Sequence, residues 1–156
     1  MGDDVRRRRV EVILHTDVSA LIRCAAAAAE GTETGGLLLG WWDAGTIVAR
    51  HAVEVIDPEA TPVSWTRDEG RAQQALDEAL ADLNHPWLGY IGDWHTHPAS
   101  CGPSGKDEHS IRRASHEYDQ PLLLLVHRAD DEIEARVAHQ GKICALTIHH
   151  PQRDAS

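Results

Sequence analysis

Two histidines separated by a single residue, with a proline immediately after, constrain this chain more than any other feature: Trp94-His95-Thr96-His97-Pro98. Leu88 to His97 (LGYIGDWHTH) reads as a β-strand, bounded upstream by Asn84-His85-Pro86 and ended by Pro98. Side chains of a strand alternate between faces, so His95 and His97 share one face and Thr96 takes the other. Any fold of this chain must therefore place two imidazoles side by side at a strand end. Pro103-Ser104-Gly105-Lys106-Asp107 follows closely. Ser104 to about Glu117 reads as a helix, with Ser104 and Asp107 on one face of its first turn.

Two histidines and a carboxylate can supply three ligands to one zinc ion. A catalytic zinc typically takes three protein ligands and keeps its fourth position for water. If Asp107 folds back onto His95 and His97, the set is an open zinc site and the chain is a hydrolase. Ser-x-x-Asp is also the signature of a capping box, with Ser104 as N-cap. The two readings are compatible, because one side chain can start a helix and still face a metal site. Asp93 falls on the same strand face as the histidines. A carboxylate so placed can orient a ligating imidazole, but the plainer reading, a residue at a sheet end, is the expectation.

A zinc hydrolase also needs a group that moves the proton of the attacking water. Glu33-Thr34-Gly35-Gly36-Leu37-Leu38-Leu39-Gly40 offers one. Leu37 to Trp42 is an apolar run suited to a buried strand, and Glu33 sits at its mouth. An exposed glutamate at a strand start is the ordinary alternative. Sequence alone does not bring Glu33 near His95.

Taken in order, Glu-x-Gly-Gly-Leu-Leu-Leu-Gly, Trp-His-Thr-His-Pro and Pro-Ser-x-x-Asp resemble the JAB/JAMM (MPN-plus) zinc metalloproteases, in a minimal prokaryotic form. The resemblance runs from roughly Val10 to Ile148, and its specific part is five residues. It implies Zn2+ held by His95, His97 and Asp107, Glu33 as general base, and Ser104 stabilising the tetrahedral intermediate. It implies an α/β fold, a mixed sheet with packed helices and an MPN/JAB (cytidine-deaminase-like) core. It also implies cleavage after the C-terminal Gly-Gly of a ubiquitin-like protein, as a conjugate or a precursor. One departure is the loop from Pro98 to Pro103, a residue shorter than the family's usual spacing between the second His and the Ser. The pose of Ser104 depends on that loop more than the identity of the ligands does.

Two other functions fit parts of the pattern. One is a non-catalytic MPN-type interaction module, although such modules lack the ligands that are present here. The other is a zinc peptidase for ordinary peptides, since the chain has no room for long substrate-gripping insertions. A zinc nucleobase deaminase is set aside, because it needs His-x-Glu and Pro-Cys-x-x-Cys.

Composition sets the frame for this chemistry. A chain of 156 residues with 42% hydrophobic content is expected to form a single domain over 1–156, with its core at about 10–148. A net charge of −10 argues against a nucleic-acid surface. Arg6-Arg7-Arg8-Arg9 reads as a solvated lead-in to the first strand. No stretch approaches a membrane span and no apolar signal core opens the chain, so the expectation is a cytoplasmic protein without membrane contact. Cys24, Cys101 and Cys144 show no metal-knuckle spacing. Oligomeric state is left open.

The remaining segments read in α/β order. Strands are expected at Val10–Leu14, Leu37–Trp42, Ile47–Ile56 and Pro121–His127, with a final hairpin of Ile133–Ala138 and Ile143–Ile148 around Gly141. Helices are expected at Asp17 to about Glu30 and at Arg67–Leu83. The second carries an apolar stripe of Ala75, Leu76, Ala79, Leu80 and Leu83. Residues 150 to 156 read as a frayed tail.

Overall fold

The computed structural model describes residues 9–151, so Arg6 to Arg8 and most of the expected tail lie outside the described residues. The elements run β1 (Val10–Leu14), α1 (Thr16–Ala28), β2 (Gly35–Asp43), β3 (Thr46–Glu54), α2 (Glu69–Leu83), β4 (Gly89–Thr96), α3 (Gly105–Ser115), β5 (Leu122–His127), β6 (Ile133–His139), β7 (Lys142–Cys144) and β8 (Leu146–His149). The eight strands form one mixed sheet in the order β7-β6-β5-β4-β2-β3-β1-β8. The expected α/β architecture, a mixed sheet with packed helices, is the one observed.

The last strands depart from the expected hairpin. β7 pairs with β6, but the run from Ile143 to Ile148 breaks at Ala145 and β8 joins β1 in parallel. The Ala145 carbonyl accepts from the Val10 N–H at 2.8 Å. β7 and β8 are the two ends of the strand order, yet only Ala145 separates them. The sheet therefore curls until its edges meet.

The curled sheet wraps around α1. Val18, Ile22 and Ala25 of that helix pack with Val12, Leu38, Ile91, Trp94, Leu123 and Leu125 in one cluster. The alternate residues of β5, Leu122, Leu124 and Val126, pack against Ile111 of α3 on the other face. Burial on both faces explains why Pro121 to His127 reads as one continuous apolar run. α2 lies on that outer face, with Ala72 against Leu37 and Val55. Its expected stripe holds at Ala75, Leu76, Ala79 and Leu80, which are all half-buried, with Ala72 as a buried anchor one turn earlier, while Leu83 is 39% exposed. The covered stripe therefore begins a turn before the expected one and stops short of Leu83.

Helix ends follow the sequence cues. Asp68 caps α2 by accepting from the Arg71 N–H, and Asn84 closes it in the left-handed region. Among the described residues, no helix is long and apolar enough to cross a membrane.

Candidate metal centre

β2 and β4 are antiparallel neighbours, with Gly35 opposite His95 and Gly36 opposite Trp94. Continuing that register sets Thr34 against Thr96 and Glu33 against His97. Opposed residues share a face, so topology brings Glu33 to the two histidines. A Cβ on Gly35 would stand 2.7 Å from the Trp94 carbonyl oxygen and 2.9 Å from the Trp65 ring. Only glycine lets the indole lie this close beside His95.

α3 supplies the third ligand atom through its cap. Ser104 Oγ accepts from the Asp107 N–H at 3.1 Å, and the Ser104 N–H donates to Asp107 Oδ2 at 2.8 Å. Both halves of the capping box are present. The box fixes the rotamer of Asp107 and turns the same Oδ2 toward the histidines.

Three atoms converge there. His95 Nε2 and His97 Nε2 are 3.2 Å apart, and Asp107 Oδ2 lies 3.3 Å from the first and 3.4 Å from the second. Donors at three corners of a tetrahedron with bonds of about 2.0–2.1 Å stand about 3.3–3.4 Å from one another. The triangle therefore has the size and donor chemistry for a zinc ion, and His95, His97 and Asp107 form a group able to hold a metal. The shorter loop between His97 and Ser104 does not keep Asp107 from the histidines.

The loop also orients one ligand. His97 Nδ1 lies 3.1 Å from the Cys101 carbonyl oxygen. A carbonyl only accepts, so Nδ1 is the donor there and Nε2 is the nitrogen left to face the centre. Cys101 meets the ring through its backbone oxygen, and its Sγ lies 3.7 Å from the same Nδ1. Nothing in the residue type signals such a contact.

Glu33 Oε1 lies 3.8 Å from His97 Nε2, and both side chains are nearly buried. Burial raises the Glu33 carboxyl above the ordinary range, opposed by His97 and His95. Burial would raise Asp107 too, but hydrogen bonds from His95 and from the Ser104 backbone outweigh it and hold that carboxyl well below the usual range. One carboxylate is disposed to take a proton and the other to stay ionised.

Asp93 takes neither role, sitting within β4 and bonded to other groups. It does lie on the face of the histidines, but its oxygens accept from Arg67 Nη1 at 2.7 Å and from the Tyr90 hydroxyl at 2.9 Å. No imidazole is bonded to it. Arg67 precedes α2 and also donates to Tyr90 at 3.0 Å. The three tie the approach to α2 onto β4. Sequence reasoning missed this network, because nothing local to Arg67 pointed to a partner so far along the chain.

A cleft of about 670 Å³ joins these groups. Glu33, His95, His97, Ser104 and Asp107 line it together with Pro62 to Arg67, and its floor continues along β4 and β5. The family model for prokaryotic homologs of the JAB domain matches residues 15–139, which include all five residues. The chain belongs to that family. This JAB domain is also similar to the solution structure of protein DSY2949 from Desulfitobacterium hafniense, with a TM-score of 0.63 at 16% identity. That likeness covers 92% of this chain and 97% of the other, and at such identity it concerns the fold. No curated protein matches the chain. The family includes peptidases and often binds zinc.

Proposed function

We propose that this JAB domain is a zinc-dependent metallo-isopeptidase or peptidase that cleaves after the C-terminal Gly-Gly of a ubiquitin-like protein. The observation carrying the reading is the convergence of Glu33, Ser104 and the His95–His97–Asp107 triangle at one end of a single cleft.

His95, His97 and Asp107 are the residues to hold zinc. Zinc bound there would polarise the scissile carbonyl and lower the pKa of a water at neutral pH. Glu33, next to the triangle and with a raised pKa, accepts a proton from the attacking water and passes one to the leaving amine. Ser104 Oγ already accepts the Asp107 N–H, so its own hydroxyl hydrogen is left to donate to the developing oxyanion. The Cys101 carbonyl holds His97 in the required tautomer. Trp65 and the segment from Pro62 wall the cleft, which favours a narrow, extended tail over a bulky one.

The test is a ubiquitin-like protein carrying a C-terminal extension or an isopeptide-linked lysine, incubated with the zinc-loaded domain and analysed by mass spectrometry. Cleavage after Gly-Gly is expected, lost on chelation and restored by zinc. Purified protein should hold about one zinc per chain, and His95→Ala or Asp107→Ala should lose most of it. Full zinc occupancy without cleavage of any such substrate overturns the substrate assignment. Full zinc retention in both variants overturns the ligand assignment.

A further inference from the structure

The rung joining Glu33's segment to the histidine strand is built differently from the rest of the β2–β4 ladder. Thr96 and Thr34 face each other as a hydrogen-bonded pair, and the Thr96 N–H donates to the Thr34 carbonyl at 2.8 Å. In a regular antiparallel pair the Thr34 N–H would return a bond to the Thr96 carbonyl. Here it goes to the Thr96 hydroxyl instead, at 3.0 Å. The Thr34 hydroxyl is used as well, donating to Glu54 Oε2 at 2.5 Å. Both threonines are buried.

The residue on one side of this clasp is Glu33, and the residues flanking its other half are His95 and His97. The Glu33 N–H donates to the Thr61 carbonyl at 2.9 Å. We propose that Thr96 is a positioning residue, whose hydroxyl sets the separation between the Glu33 carboxylate and the His95–His97–Asp107 triangle. The proposal rests on the zinc-hydrolase reading above. A side chain makes half of this rung, so one substitution removes that bond and leaves the backbone bond from the Thr96 N–H to the Thr34 carbonyl in place. Valine keeps the shape of threonine but leaves the Thr34 N–H without its acceptor, and a buried donor must then move to find another. A displacement of about 1 Å between reacting groups is enough to slow catalysis about 100-fold.

The experiment compares Thr96→Val and Thr96→Ser, each alone and combined with Glu33→Gln. Zinc content, steady-state rates on a Gly-Gly fusion and hydrogen exchange at the Thr34 amide are measured. Thr96→Val should keep its zinc and lower kcat about 10- to 100-fold with KM little changed. Thr96→Ser should stay near wild type. In the Glu33→Gln background Thr96→Val should cost nothing further, because a residue acting only through Glu33 has nothing left to position. The Thr34 amide should exchange at least about tenfold faster in Thr96→Val and be unchanged in Thr96→Ser.

A wild-type rate in Thr96→Val, loss of its zinc, or an equal slowing of the Glu33→Gln enzyme overturns the proposal. Should Thr96→Val fail to fold, Thr96→Ala takes its place, and failure of both marks the hydroxyl as merely structural and overturns it too. Wild-type protein that cleaves no Gly-Gly substrate defeats the functional reading, and the Thr34 amide then judges the clasp by itself. Equal protection in wild type and Thr96→Val removes it.

Discussion

Glu33 and Asp107 are carboxylates in one cleft whose surroundings push them in opposite directions. Such divergence is how two like groups take different tasks. Asp107 is held ionised by donors on two sides and suits a metal. Glu33 has burial without a hydrogen-bond donor of its own and suits proton transfer. Glu33→Gln keeps the size of the side chain and removes the proton acceptor. It should retain full zinc, measured by metal analysis, and lose about 10²- to 10⁴-fold in rate. Loss of zinc would make Glu33 a ligand or a support, and a rate near wild type would remove it as the base. Residue identities at the candidate site were legible in the sequence, because His-x-His and Ser-x-x-Asp carry their geometry in their spacing. The partner of Asp93 was not, since Arg67 is brought to it by the approach to α2 and not by any local pattern.

At the scale of elements, α3 serves both as a helix and as the carrier of Asp107, one of the three proposed ligands, and Ser104 stands at the junction. As N-cap it contributes about 1 kcal/mol to the metal-free protein. In the proposed role of hydroxyl donor to an oxyanion, its removal is expected to cost about 10²–10³-fold in rate. Ser104→Ala should show both effects, in chemical denaturation of the metal-free protein and in turnover of the zinc-loaded one. A stability loss with an unchanged rate would reduce Ser104 to a cap. Most helices and strands were legible, because periodicity and capping residues act within a few positions. The split of Ile143–Ile148 into β7 and β8 was not. Both halves are strand-like, and the choice of β1 as partner for the second is made by the closing of the whole sheet. The burial of α2 likewise depends on which of its turns meets Leu37 and Val55.

At the scale of the molecule, the centre depends on β2 lying beside β4, a pairing between segments far apart in sequence. The apolar run after Glu33 and the one before His95 each predicted a strand, but neither named its neighbour. The sheet curls around α1, and on its outer face, beside Ile111 of α3, residues of α3 and of the Pro62 to Arg67 segment line the cleft over β4 and β5. Close to the triangle the Trp65 ring lies against Gly35, where a Cβ would stand 2.9 Å from it. A substrate backbone that must approach the metal ligands closely is best served there by residues without side chains. We therefore expect the last residue before the scissile bond to be selected for glycine. Matched fusions of one ubiquitin-like protein, ending in Gly-Gly or in Gly-Leu ahead of the same extension, separate this from general peptidase activity. The Gly-Leu fusion should be cleaved far more slowly, with the difference seen in kcat/KM by gel or mass spectrometry. Equal cleavage of the two, or cuts at unrelated peptide bonds, would mean that the cleft does not select its tail and that the domain is a general zinc peptidase.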